Sequence, residues 1–297
     1  MSLDELFCYV DEFCAKFLPA WEERLIAKGV KKRKRATRLS ISEIITILIL
    51  FQRSRYRDFK TFYLKEVLAR LNSEFPQLVS YNRFVELIPR VLVPMCAYLQ
   101  SRKAVSEGIA FVDSTVIVVC KPKRINQHKV FKGLAKLGKS SMGWFYGFKL
   151  HLICNHKGEL VSCKITAGNI DDRKPLPTMA SGLTGKLFAD KGYISRDLFI
   201  ELLENNLQLV TGIRKNMKNK LLSIFDKIML RKRAIIESVN NQLKNVFQLE
   251  HTRHRSPINA FVHMIGALIA FVHHGRKPKI GELTKTEVRL MCSFMGA

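Results

Sequence analysis

The run Ile109-Ala110-Phe111-Val112-Asp113-Ser114-Thr115-Val116-Ile117-Val118-Val119-Cys120 constrains the chain most. A β-branched, apolar stretch of this length reads as a strand filling the interior of a sheet. It nevertheless carries a carboxylate, Asp113, in its middle. A buried carboxylate is costly unless it is paired, hydrogen-bonded or bound to a metal. For an isolated Asp in a strand, a structural Arg or Lys is the commoner partner. A catalytic role requires further acids at the ends of neighbouring elements.

The segments that follow supply the rest of a sheet. Trp144 to Cys154 and Glu159 to Thr166 are strands joined by the hairpin signal Asn155-His156-Lys157-Gly158. With the first strand they make three antiparallel strands in sequence order. Lys186 to Asp190 is a short fourth strand, and Leu207 to Thr211 a fifth. Between them Ser195 caps a helix containing Leu198, Phe199, Leu202 and Leu203. Strand, helix, strand at this spacing predicts a parallel pair with a crossover. Met229 to Phe247 reads as helix. The apolar run Ile258 to Val272 is too short to span a bilayer comfortably and reads as a buried helix.

Ahead of the sheet the pattern is helical. Leu3, Leu6, Phe7, Val10, Cys14 and Phe17 follow a helical period, with Pro19 expected to stop that helix. Ser40-Ile41-Ser42-Glu43 is a capping box before an almost wholly apolar helix, and another runs from Asp58 to Leu71. Ser80 can cap a helix through Tyr81, Asn82, Arg83 and Phe84, bent or broken by Pro89 and Pro94. Short helices with basic surfaces suggest a helix-turn-helix type of DNA reader, with Asn82 and Arg83 contacting bases or phosphates. The expected organisation is α/β: an all-α N-terminal DNA-binding domain over 1–105, a mixed sheet flanked by helices over 106–255, and a helical extension packing on it over 256–297.

Charge narrows the partner. Lys and Arg number 50 against 25 Asp and Glu, a net charge of +25, which points to a polyanion. The charge is clustered, in Lys31-Lys32-Arg33-Lys34-Arg35 and again from Lys121 to Lys139, which has seven Lys or Arg and no acid. That second stretch, with Gly133 and Gly138, reads as a flexible basic loop beside Asp113. Its Lys123, Arg124, Lys129 and Lys132 are candidate phosphate contacts. The cysteines are odd in number, scattered and without C-x-x-C spacing, and His251 and His254 have no second ligand pair after them. Reduced thiols in a cytoplasmic protein are expected, and a zinc site is not. The acidic N-terminus lacks signal-peptide character.

Two more acids stand where chemistry gathers. Asp190, in Ala189-Asp190-Lys191-Gly192-Tyr193, ends the fourth strand, and Gly192 is expected to turn the backbone sharply away. Glu237 lies on the helical stretch Arg233 to Lys244. At about 100° per residue, Glu237 is offset from Arg233 by about 40° and Lys244 by about 20°. Asn240 falls beside them, so one narrow face carries Arg233, Glu237, Asn240 and Lys244, with Ile235, Val239 and Leu243 opposite. An exposed i,i+4 ion pair with Arg233 is the bland reading of Glu237. Asp171 and Asp172 are rival acids, assigned to loop capping or to a salt bridge with Arg173.

The ordered set, an acid in the first strand, an acid after the fourth and a glutamate on a late helix, resembles the RNase H-like DDE transposases of bacterial insertion sequences. Arg233, Glu237 and Lys244 match the spacing of the signature around their glutamate, whose preceding tyrosine falls here at Leu230. Asp113-Ser114-Thr115, Trp144 to His151 and Gly168 to Arg173 resemble those proteins too. The likeness covers roughly residues 80–275. It implies Asp113, Asp190 and Glu237 as catalytic carboxylates holding two Mg²⁺ or Mn²⁺ ions for phosphodiester chemistry, with Arg233 and Lys244 on the flanking phosphates. It implies binding to inverted-repeat ends in double-stranded DNA, cleavage there, strand transfer into target DNA, and a dimer or larger synaptic assembly in the bacterial nucleoid, with no membrane. The alternatives are an inactive transposase-derived DNA-binding regulator and a structure-selective nuclease of the same fold.

Overall fold

A computed structural model describes residues 1–29, 37–213, 222–250 and 254–281. The basic run 31–35 and His251 lie outside them. In chain order the helical elements are α1 (Leu3–Ala27), α2 (Ile41–Arg53), α3 (Phe59–Phe62), a π turn (Tyr63–Val67), α4 (Leu68–Arg70), α5 (Tyr81–Leu87), a 3₁₀ turn (Ile88–Val91) and α6 (Leu92–Ser101). The strands β1 (Ile109–Cys120), β2 (Lys136–Ser140), β3 (Gly143–Asn155) and β4 (Leu160–Ala167) follow, then α7 (Leu176–Met179), β5 (Gly185–Ala189), α8 (Arg196–Glu204) and β6 (Leu207–Thr211). The helices α9 (Ile224–Lys232), α10 (Ala234–Asn245) and α11 (Pro257–Val272) complete the described elements.

The chain divides into two compact units, one of residues 1–102 and 242–275, the other of residues 103–241 and 276–297. The first is helical. Its centre is α2, started by the expected capping box: the Ser40 hydroxyl accepts from the Glu43 N–H at 3.1 Å, and the Glu43 carboxylate accepts from the Ser40 N–H at 2.6 Å. Ile44, Ile45, Ile47, Leu48, Ile49 and Phe51 are buried nearly all round the helix, against α1 and α11. Of the polar groups that intrude, Gln52 Nε2 lies 3.1 Å from His263 Nδ1, while Thr46 Oγ1 and Gln52 Oε1 are buried without a hydrogen-bond partner. One expectation fails: α1 continues through Pro19 to Ala27. A proline removes one helical hydrogen bond, but the Phe13, Phe17 and Trp21 rings stack along one side across it, at 5.2 and 6.0 Å between centroids.

The second unit is built on a mixed sheet. β3 pairs antiparallel with β1 and with β4, and β1, β5 and β6 are parallel, in the order β3-β1-β5-β6. The expected strands are all present to within a residue or two at their ends. The strand that sequence reading did not anticipate is β2, which pairs with the start of β3 on the same edge as β4. The stretch 121–139 is therefore an ordered insertion rather than a flexible loop. It holds a 3₁₀ turn (Pro122–Gln127) and then β2. Phe131 anchors it, stacked on His128 and edge-on to Phe148. Gly138 is needed for close approach: a Cβ there would run into the Gly168 carbonyl where β2 meets the end of β4.

Side-chain alternation along β1 sorts the sheet into two faces. Ala110 and Val112 join Leu187, Ala189, Leu198 and Leu202 in a core under α7 and α8. Phe111 points the other way and stacks on Phe188 at 5.6 Å. Asp113 shares that second face, two residues on.

Candidate active site

The parallel register that aligns Ile109 with Lys186 and Phe111 with Phe188, carried forward, sets Asp113 level with Asp190 on the same face. Hydrogen bonding between β1 and β5 ends before that point, so the two carboxylates sit where the strands part. Asp190 leads into a 3₁₀ turn, Lys191–Tyr193, closed by the Tyr193 N–H donating to the Asp190 carbonyl at 3.0 Å. Gly192 has open space around it and no left-handed backbone. Hydrogen bonding, not a special glycine, makes this turn, contrary to the sequence expectation.

The start of α10 covers the same face. Asn240 donates from Nδ2 to Asp113 Oδ2 at 3.3 Å. Arg233 places Nη1 4.0 Å from Asp113 Oδ2 and donates from Nη2 to Glu237 Oε1 at 2.7 Å. Ile235, Ile236 and Val239 are buried and fix the helix in this rotation. Asp113 is only 23% exposed. Burial pushes its carboxyl up to about 6, against the pull of Arg233 and of the Ser114 N–H, and the negative charges of Glu237 and Asp190 add to the rise. Asp113 therefore feels the charge of both other acids. An arginine faces Asp113, as the structural reading expected, and the other two acids stand near it.

The structure brings Asp113, Asp190, Arg233, Glu237 and Asn240 together. Asn240, expected at the DNA, is buried and turned inward, and its Oδ1 has no hydrogen-bond partner. Lys123, Arg124, Lys129 and Lys132 are exposed on the insertion of the same unit. Asn82, Arg83 and Lys244 belong to the helical unit. There Asn82 lines a cavity of about 560 Å³ with Lys60, Tyr81 and Arg255, Arg83 pairs with Glu86 at 2.6 Å, and Lys244 with Glu250 at 3.4 Å.

The rival acids are occupied elsewhere. Asp171 accepts from Arg173 Nε and Nη2 at 2.9 and 2.6 Å, as expected, and that bidentate pair holds its carboxyl well below the usual range. Asp172 is bonded instead to Lys149 on β3 at 2.9 Å. The same Lys149 ammonium donates to the Ile170 carbonyl, pinning the loop to the sheet. Sequence reading missed what lies on the opposite face of β1 from Asp113. His151 is buried beside this pair, bonded through Nε2 to Thr166 at 2.8 Å and pushed by burial down to about 4. Tyr193 is buried near Ser114, and its hydroxyl is raised above its ordinary value, chiefly by burial and then by Asp172 and Asp113. The signal in the sequence was the polar character of Lys149, His151 and Ser114 at alternate or paired strand positions, hidden by reading those strands as uniformly apolar.

A family model described as "Transposase DDE domain" matches residues 103–257, more than half of the chain. The chain belongs to that family. The sheet order and flanking helices of its second unit are the RNase H-like arrangement the resemblance implied. Among solved structures the transposase is similar to a chain of the "pre-cleavage Mos1 transpososome", at 12% identity over 81% of this chain and 80% of that one, with a TM-score of 0.25. It is also similar to one of the "Mos1 transposase paired-end complex with left transposon end", at 13% identity over 82% of each chain, with a TM-score of 0.26. No curated protein matches. No helix among the described residues is long and apolar enough to cross a membrane.

Among the described residues no three His, Cys, Asp or Glu side chains are grouped closely enough to hold an ion as they stand. The donor set nonetheless suits a hard divalent cation. It consists of carboxylate oxygens, one desolvated, and an unpartnered carboxamide oxygen beside them. Arg233 meanwhile supplies positive charge to the two carboxylates it faces.

Proposed function

We propose that this transposase cuts DNA at the inverted-repeat ends of its element and transfers the freed strand, with Asp113, Asp190 and Glu237 as its catalytic carboxylates. One observation carries the reading: acids from the end of β5 and from α10 lie close enough to Asp113 on β1 for their negative charges to raise its carboxyl. Divalent ions held there, Mg²⁺ or Mn²⁺, would activate an oxygen nucleophile and neutralise charge on the scissile phosphate. Asp113, Asp190 and Glu237 would be the residues that hold these ions. Asn240 orients Asp113 through its amide N–H. Arg233 and Lys244 would hold the flanking phosphates. The exposed Lys123, Arg124, Lys129 and Lys132 hold the DNA beside the site. The helical unit, through Asn82 and Arg83, reads the end sequence, and a dimer or larger assembly pairs the two ends.

The test is transfer of a labelled oligonucleotide carrying the element's terminal repeat into a supercoiled plasmid with Mg²⁺ or Mn²⁺. Joined product is expected. Cutting without joining favours a structure-selective nuclease, and binding without cutting an inactive regulator. Affinity for any duplex should also fall steeply with salt, by a slope of about 0.9 per neutralised phosphate. Replacing Lys123, Arg124, Lys129 and Lys132 together by Ala should lower that slope by about 3–4, and an unchanged slope would remove the insertion from the DNA path.

A further inference from the structure

The insertion and the start of β3 together present an apolar surface that phosphate binding does not use. Trp144 is 60% exposed and Met142 96%, with Leu137 and Leu134 exposed nearby. Lys139 sits opposite Trp144 across the β2–β3 ladder, its Nζ 5.8 Å from the ring centroid. The base of this ribbon is firm. Tyr146, two residues from Trp144 on the same side, is buried, and its hydroxyl donates to the Phe131 carbonyl at 3.4 Å. Large exposed apolar side chains on a firm support mark an interaction site.

We propose that Trp144, backed by Lys139, is a stacking platform for an unpaired base of the DNA strand that passes the acid cluster. This rests on the reading above that the substrate is DNA. Position supports it. Side chains alternate along β3, so Trp144 lies on the same sheet face as Leu152, the cross-strand partner of Asp113. Eight residues separate the two, about 27 Å of strand, or about eight nucleotides of B-form DNA. Charge supports it as well: no Asp or Glu occurs between Asp113 and Glu159, while Lys129, Lys132, Lys136 and Lys139 all lie within the fifteen residues before the ring. A second copy of so basic a patch would be repelled, whereas a strand of phosphates is attracted. An indole stacks on a base face, and in a duplex those faces are covered by neighbouring base pairs, so the platform selects a base that has left the stack.

The chain has two tryptophans, so Trp21→Phe leaves Trp144 as the sole reporter in the full-length protein. It would be titrated with a duplex and with the same duplex carrying a short single-stranded gap about eight nucleotides from a recessed 3′ end, while binding is followed independently by anisotropy of a labelled strand. Trp144 emission should be quenched by the gapped DNA and little changed by the intact duplex. Trp144→Ala should weaken gapped-DNA binding about tenfold and leave duplex binding alone, and Trp144→Phe should restore most of the difference. Bound gapped DNA with unaltered Trp144 emission overturns the proposal and leaves the DNA reading standing. Absence of binding to either DNA overturns both. A DNA-free emission change that grows with protein concentration and accompanies self-association also overturns it, since the platform then belongs to a second copy.

Discussion

Asp113→Asn, Asp190→Asn and Glu237→Gln are each expected to reduce cleavage at the terminal repeat by about 10⁴-fold or more, because groups that act as one unit fail together. Double variants should be scarcely worse than single ones. DNA affinity should change little, since the charge removed is small beside the +25 of the chain. The substitutions keep shape and remove only a carboxylate oxygen's charge, so folding should survive. Asp171→Asn is the control: that carboxylate is held by Arg173, away from the cluster, and cleavage should persist. Substantial activity in any of the three acid variants, or loss in Asp171→Asn matching theirs, would end the assignment.

The second large effect concerns the proton on Asp113. Burial lifts its folded-state pKa to about 6, above the roughly 3.9 of an unfolded Asp. Between those values the folded chain holds more protons than the unfolded one, so stability is greatest below the window and declines as pH rises through it. The decline amounts to about 3 kcal/mol at most. This is opposite in sign to an acid held by a salt bridge. At pH 7.5 the metal-free protein therefore carries a buried charge that Arg233 and Asn240 only partly offset. Asp113→Asn should raise its Tm by several degrees. Saturating Mg²⁺ should stabilise the native chain by about 2–3 kcal/mol at a hundredfold excess over Kd, and the Asn variant hardly at all. Cleavage should fall about tenfold per pH unit below about 6, as protons compete for the same oxygens. A variant that melts lower without metal, or responds to Mg²⁺ as the native chain does, would mean that Asp113 is satisfied by Arg233 alone.

Much of this was legible from local pattern. The strands β1, β3, β4, β5 and β6 are dense in β-branched and aromatic residues and bounded by turn residues, and the caps at Ser40, Ser80 and Ser195 signal through short-range hydrogen bonds. The helical stagger that puts Glu237 beside Arg233 is likewise a local geometric fact. β2 was not legible, because Lys136-Leu137-Gly138-Lys139-Ser140 has no strand propensity of its own and pairs only because β3 offers an edge. The passage of α1 through Pro19 was not legible either, since ring stacking along the helix decides it.

The sequence alone determined the inventory: three acids in strand, strand-end and helix contexts, an acid-free basic stretch, and a charge suited to DNA. Only the tertiary structure decided that Asp113 and Asp190 fall level on one face, that Asn240 points inward to Asp113, that Asp172 serves Lys149, and that α11 packs on α2. The physical reason is range. Periodicity and capping act over a few residues, whereas register across a parallel pair and the choice of partner for a buried charge are set by contacts between segments dozens to over a hundred residues apart.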